Sequence, residues 1–247
     1  MLSVVFVVLA VAAAPAGEGK PQSAGKKVKE EPVSAAELKK LLTEWGAAQK
    51  KLKTIVTDFK CEEEDVLLDE PQVTKGRISI KKPDGYRREV YEEKKLKGGK
   101  TSKKLVGMMI LKPPMLWVYL PAQKRAEEIN VKKVAGKAGT NPLKRLGDII
   151  SFDEKRISAS FKIAAVKLGD VYRMTYTPKK GKAIGNVSMV RVWIKKGARF
   201  PQKMETTDAG DTVRTETYRN TKFDTKLDDS FFKFERPRGV KLIKVTR

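Results

Sequence analysis

The sequence predicts a mainly β protein with a few helices, built on one large curved antiparallel sheet or open barrel. Three observations carry this. One capped amphipathic stretch near the start is followed almost entirely by runs of five to ten residues with strand character. Pro, Gly and Asp clusters separate those runs, as at Pro83-Asp84-Gly85, Lys196-Gly197 and Ala209-Gly210-Asp211. Several runs are apolar on both faces, which suits a sheet covered on both sides or lining a cavity.

The first 16 residues, MLSVVFVVLAVAAAPA, are uncharged and apolar from Val4 to Ala14. That length suits the apolar region of a signal peptide and falls short of the ~20 residues of a membrane-spanning helix. Ala14-Pro15-Ala16 supplies a cleavage pattern before Gly17, although no basic residue precedes the apolar run. Export with cleavage is the expectation, and retention as an uncleaved anchor is the other reading. Residues 17–34 are rich in Gly, Pro, Lys and Glu and read as a flexible linker. A single domain over 35–247 follows.

Ser34 three places before Glu37 forms a capping-box pattern, and Leu38, Leu41, Leu42, Trp45 and Leu52 recur at helical spacing. An amphipathic helix of about five turns is predicted there. The strand runs are TIVTDFKCEEE, QVTKGRISIKK, GYRREVYEE, KLVGMMIL, MLWVYLP and KRAEEINV, then SASFKIAAVKL, DVYRMTYTP, NVSMVRVWIKK, FPQKMETTDA, DTVRTETYRNTKF and GVKLIKV. They amount to about eleven strands. Between the two sets, TNPLKRLGDIISFDEK places Leu143, Leu146 and Ile150 at helical spacing after Pro142, which suits a helix start. Permanent core and movable lid both remain open for that helix.

Composition excludes several chemistries. The chain has 247 residues, a net charge of +23 and no histidine, so Ser-His-Asp, Cys-His and every His-containing metal site are ruled out. Its one cysteine, Cys61, forms neither an internal disulfide nor a thiolate cluster. KGGKTS at 97–102 looks like the end of a phosphate-binding loop, but position 94, where the first glycine belongs, is Lys94. The carboxylates of CEEED (61–65) alternate between strand faces and do not converge. Basic residues are spread over nearly every segment, and aromatic residues, at 7%, form no stacking platform for nucleic acid. An enzyme working with two Asp or Glu carboxylates needs a pair about 5–9.5 Å apart in a cleft, and the sequence singles out none.

The order of the pieces resembles a known family. An N-terminal helix leads into Thr57-Asp58-Phe59, then Gly76-x-Ile78-x-Ile80-Lys81-Lys82-Pro83-x-x-Tyr86-Arg87. Leu116-Trp117-Val118-Tyr119-Leu120-Pro121 follows, then a Pro-Leu helix, and Phe232-x-Phe234-x-x-Pro237-x-Gly239-Val240 closes the pattern. This resembles LolA, the periplasmic carrier of outer-membrane lipoproteins, and is similar to the lipoprotein-sorting proteins and the lipid-sensing domain of the RseB type.

The resemblance implies a half-open, incomplete antiparallel β-barrel of about eleven strands, closed by the N-terminal helix and a lid helix carrying Leu143, Leu146 and Ile150. It implies a lipoprotein carrier, not an enzyme, with no cofactor and no metal, working as a soluble monomer in the periplasm. Acyl chains occupy the cavity, for which Leu116, Trp117, Val118, Tyr119, Met108, Ile110, Ile78 and Ile80 are the candidate lining residues. Lys82 stands where the family has a latching arginine, and a lysine lacks the planar fork of a multi-bond latch. Tyr86 takes the position at the cavity mouth that meets a partner. The implied partners are lipoprotein acyl chains, an inner-membrane lipoprotein-releasing ABC transporter and an outer-membrane acceptor, with no nucleic acid. A lipid- or lipoprotein-sensing module of the same fold is the alternative. Which face of the 115–120 strand meets the lipid stays open at this point.

Overall fold

A computed structural model describes residues 29–65, 70–95, 101–134, 154–180 and 186–245. The strands are β1 (Glu31–Pro32), β2 (Thr54–Glu64), β3 (Gln72–Lys81), β4 (Gly85–Lys95), β5 (Thr101–Lys112), β6 (Met115–Leu120), β7 (Arg125–Asn130), β8 (Phe161–Leu168), β9 (Val171–Pro178), β10 (Val187–Lys195), β11 (Lys203–Asp208), β12 (Val213–Phe223) and β13 (Lys241–Val245). The helices are α1 (Ala35–Lys51), α2 (Val131–Val134) and α3 (Glu154–Ser160). Short 3-10 turns occupy Pro121–Gln123 and Asp229–Phe232.

All twelve runs read as strands from the sequence form strands, β2 to β13. The additional strand, β1, lies in the stretch read as linker, where Glu31 and Pro32 pair with Lys167 and Val166 of β8. Among the described residues the strands therefore number thirteen. Their hydrogen-bonded order is β1-β8-β9-β10-β11-β12-β2-β3-β4-β5-β6-β7-β13, with two ends, so the sheet is unclosed. In a departure from the expected antiparallel pattern, β13 runs parallel to β7, Lys241 opposite Arg125 and Val245 opposite Ile129.

The chain divides into two compact units. The first comprises residues 1–49, 62–73 and 148–216. Here Ser34 Oγ accepts the Glu37 backbone N–H at 3.2 Å, half of the predicted capping box. Helix α1 buries Leu41, Leu42, Trp45 and Gln49. Trp45 meets the Tyr172 ring edge-on at 5.9 Å, and the Gln49 amide donates to the Arg199 carbonyl. Strand register then aligns Tyr172, Met174 and Tyr176 with Ile194, Val192 and Val190, all buried, as the core of this unit.

The second unit comprises residues 50–61, 74–147 and 217–247. Its frame is β3 to β7 in antiparallel sequence, then β13. Phe59 is buried because Gly76 leaves room for its ring. A Cβ on Gly76 would lie 2.7 Å from that ring and 1.9 Å from the Glu89 carbonyl oxygen.

Candidate functional site

In a strand, neighbouring side chains point to opposite faces, and residues paired across strands share a face. Register therefore sorts the second unit into rows. One face carries the row Ile80, Tyr86, Leu111, Leu116, Ile129, without a charge across five strands. The adjacent row on that face is Ile78, Arg88, Met109, Val118, Glu127. Ile78 and Val118 are buried, whereas Ile80, Tyr86, Leu111 and Ile129 stay half-buried. The Arg88 guanidinium in the second row stacks on the Phe59 ring at 3.7 Å.

The opposite face carries Ser79, Arg87, Ile110, Trp117, Glu128 and, beside them, Arg77, Glu89, Met108, Tyr119, Ala126. Met108 and Ile110 form a core cluster with Phe232, against which Leu227, Phe231, Phe234, Trp117 and Tyr119 pack. The chain after β12 thus covers this face. Two cations fasten it down. Lys81 Nζ donates to the Leu227 carbonyl at 2.7 Å and pairs with Asp229 at 3.0 Å. Arg87 Nη1 donates to the Phe231 carbonyl at 3.0 Å, its guanidinium 4.3 Å from that residue's ring, while Nη2 pairs with Glu89 at 2.8 Å. Trp117 satisfies its indole N–H on Glu128 at 3.1 Å, and Tyr119 meets Phe234 ring to ring at 5.8 Å.

Beyond the covered part, the same face opens into two adjoining cavities of about 390 and 720 Å³ that share Asp58, Arg77 and Asn220. The smaller adds Phe59, Lys75, Gly76, Tyr91, Glu93 and Lys103; the larger adds Val56, Ser79, Thr221, Lys222, Thr225, Leu227 and Phe231. Burial pushes the Asp58 carboxyl up. Hydrogen bonds from Asn220 at 3.1 Å and Arg77 at 2.9 Å outweigh it and hold the group below its ordinary range. Tyr91 is pushed up to about 12 by burial and by the Glu89 carboxylate beside it. Glu93 is held low by hydrogen bonds from Lys103 and Lys75.

The structure divides the eight candidate cavity residues between two faces. Ile78, Ile80, Leu116 and Val118 share one; Met108, Ile110, Trp117 and Tyr119 share the other and pack under the chain after β12. Tyr86 stands in the uncharged row between Ile80 and Leu111. Lys82, in the turn after β3, is half-buried, and burial lowers its pKa against the opposing charge of Asp224. Leu143, Leu146 and Ile150 lie outside the described residues, as do residues 1–28. Asp58 stood in the Thr57-Asp58-Phe59 motif without a role, and no signal in the sequence joined it to Arg77 and Asn220, because the three are drawn from strands separated by up to 162 positions. Phe232 opened the closing motif without a role, and Phe231 lay just ahead of that motif. Among the described residues no helix is long and apolar enough to cross a membrane, and no three Cys, Asp or Glu gather as a metal site.

These features define a class: a mainly β chain on one unclosed sheet, with an uncharged row on one face of its second unit and an apolar cluster on the other. The profile of the family described as outer membrane lipoprotein carrier protein LolA matches residues 50–235, and the chain belongs to that family. Among solved structures it is similar to a conserved protein from Thermus thermophilus, at 10% identity over 84% of this chain and 99% of that one, with a TM-score of 0.50, which shows the fold. A LolA superfamily protein from Nitrosomonas europaea is 11% identical, covering 79% of this chain and 97% of that one at a TM-score of 0.40. The lipoprotein LppX of Mycobacterium tuberculosis is 12% identical, covering 79% and 99% at 0.45. Comparison with curated protein sequences gives no match.

Proposed function

We propose that this protein carries lipoprotein acyl chains on the face of its second unit that bears Ile78, Ile80, Leu116 and Val118. The observation that carries the reading is the uncharged row Ile80–Tyr86–Leu111–Leu116–Ile129, half-buried in large part, on the face opposite the covered one. Four interstrand steps of ~4.8 Å make the row about 19 Å long. That length suits an extended long acyl chain, and each methylene taken out of water contributes about 0.8 kcal/mol. Met108, Ile110, Trp117 and Tyr119 would then stiffen the platform from behind instead of touching lipid.

In this reading α1 and the 141–150 segment close the sheet as plug and lid, with Leu143, Leu146 and Ile150 over the chains and Lys82 as latch. Tyr86 meets the delivering or receiving partner, and the exported protein moves its cargo from the inner to the outer membrane. Release requires a lid held by weak bonds, which a half-buried lysine provides better than a multi-bond arginine fork. The test is purification from cells followed by mass spectrometry of the bound fraction and transfer to acceptor membranes. Acylated cargo that passes to those membranes supports the carrier; a lipid-free protein that takes up no triacylated lipopeptide overturns it. Bound lipid without transfer assigns the sensing module instead.

A further inference from the structure

The net charge of +23 is not shared between the two units. Residues 50–61, 74–147 and 217–247 hold 33 Lys and Arg against 11 Asp and Glu; the rest of the chain holds 20 against 19. Nearly all the excess belongs to one unit, and repulsion within so charged a unit favours an anionic partner. On its face with the two cavities, Lys75, Arg77, Lys103 and Lys222 line the groove against the carboxylates of Asp58 and Glu93. Lys75 and Lys103 share Glu93, at 3.4 and 3.1 Å, and Arg77 is taken by Asp58. Two lysines on one carboxylate retain N–H donors for further oxygens. The lining of the larger cavity also includes the apolar side chains of Val56, Leu227 and Phe231.

We infer that this unit docks on a membrane bearing anionic phospholipids, with the basic side chains of the groove seating a headgroup phosphate and its apolar lining residues the adjoining glycerol and first methylenes. The basic rim alone would serve a polyanion of any kind. The apolar part of the lining favours an amphiphile, because a nucleic acid or an acidic peptide offers Val56 and Leu227 no hydrocarbon to pack against. The groove lies on the face opposite the uncharged row, so the inference does not rest on acyl-chain carriage, and a protein that purifies free of lipid is still expected to bind vesicles.

The test is co-sedimentation with phosphatidylcholine vesicles with and without about one-third phosphatidylglycerol, from about 0.05 to 0.5 M salt. Binding is expected to the anionic vesicles alone and to weaken steeply with salt. Replacing Lys75, Lys103 and Lys222 together by Gln is expected to weaken it about a hundredfold, at roughly one factor of five for each lysine at an anionic surface. The same replacement of Lys162, Lys180 and Lys196 in the other unit is expected to leave it unchanged. Circular dichroism confirms that both variants fold, and Lys222→Gln alone, expected to weaken binding about fivefold, gives the same reading should the triple variant unfold. No binding at low salt, equal binding to neutral vesicles, or equal loss from both sets overturns the inference. So does tighter binding to duplex DNA or polyglutamate than to vesicles, or displacement by millimolar inorganic phosphate, which would assign a free anion.

Discussion

The Phe59 ring lies against Gly76, with the Arg88 guanidinium stacked on the ring at 3.7 Å. The contact joins β2, β3 and β4 on the face proposed to meet lipid, and it exists because residue 76 has no side chain. Gly76→Ala would push a methyl group into both the ring and the Glu89 carbonyl. The backbone member of that clash has no rotamer to change, so the variant is expected to lose about 3 kcal/mol, the upper part of the overpacking range. Urea unfolding at neutral pH measures this.

On the opposite face, Ile110 and Phe232 are both fully buried and share one cluster. Ile110→Ala and Phe232→Ala are each expected to destabilise by about 3 kcal/mol. Since the two side chains belong to one cluster, the double variant should lose less than the sum, with a coupling of about 1 kcal/mol read from a double-mutant cycle.

Arg87 fastens the chain after β12 through a carbonyl, a ring and a carboxylate at once. Arg87→Met removes all three and leaves the Glu89 side chain, only 13% exposed, without that cation. A loss of about 2 kcal/mol is expected. Hydrogen exchange over 227–234 should quicken well beyond the change elsewhere, while Arg87→Lys restores part of the protection but not the contact with the Phe231 carbonyl.

Asp58 sets an acid limit. Its folded pKa lies below the ordinary 3.8, so its ion pair stabilises the fold above that value and the contribution is lost as pH falls through the lower folded pKa. Stability measured in denaturant from pH 6 downward should fall below about pH 4, and Asp58→Asn should flatten that part of the profile. An unchanged profile would mean that other carboxylates govern the acid limb.

The strand runs and the capped helix were legible in the sequence because period-two alternation and a cap are local signals. Turn residues such as Pro83-Asp84-Gly85 marked the ends equally locally. The alternation in Met115–Leu120 also separated Leu116 and Val118 from Trp117 and Tyr119. It carried no information about which set the chain after β12 would cover, since that depends on Phe231 and Phe232 more than a hundred residues away. For the same reason the eight candidate cavity residues mixed two faces. Glu31 and Pro32 read as linker because two residues show no period, and their pairing to β8 is set by the partner strand. The charge excess was visible as a total, but its concentration required knowing that 50–61, 74–147 and 217–247 fold together.

The central claim is that acyl chains lie on the Leu111–Leu116 face, and site-specific photocrosslinking tests it most directly. A photoreactive phenylalanine is placed at Leu111 or Ile129 in one set of variants and at Tyr119 in another, each incubated with a triacylated lipopeptide. Crosslinks at Leu111 and Ile129, with none at Tyr119, are the predicted result. Crosslinks at Tyr119 alone, or at none of the three in protein that remains folded, would contradict the account.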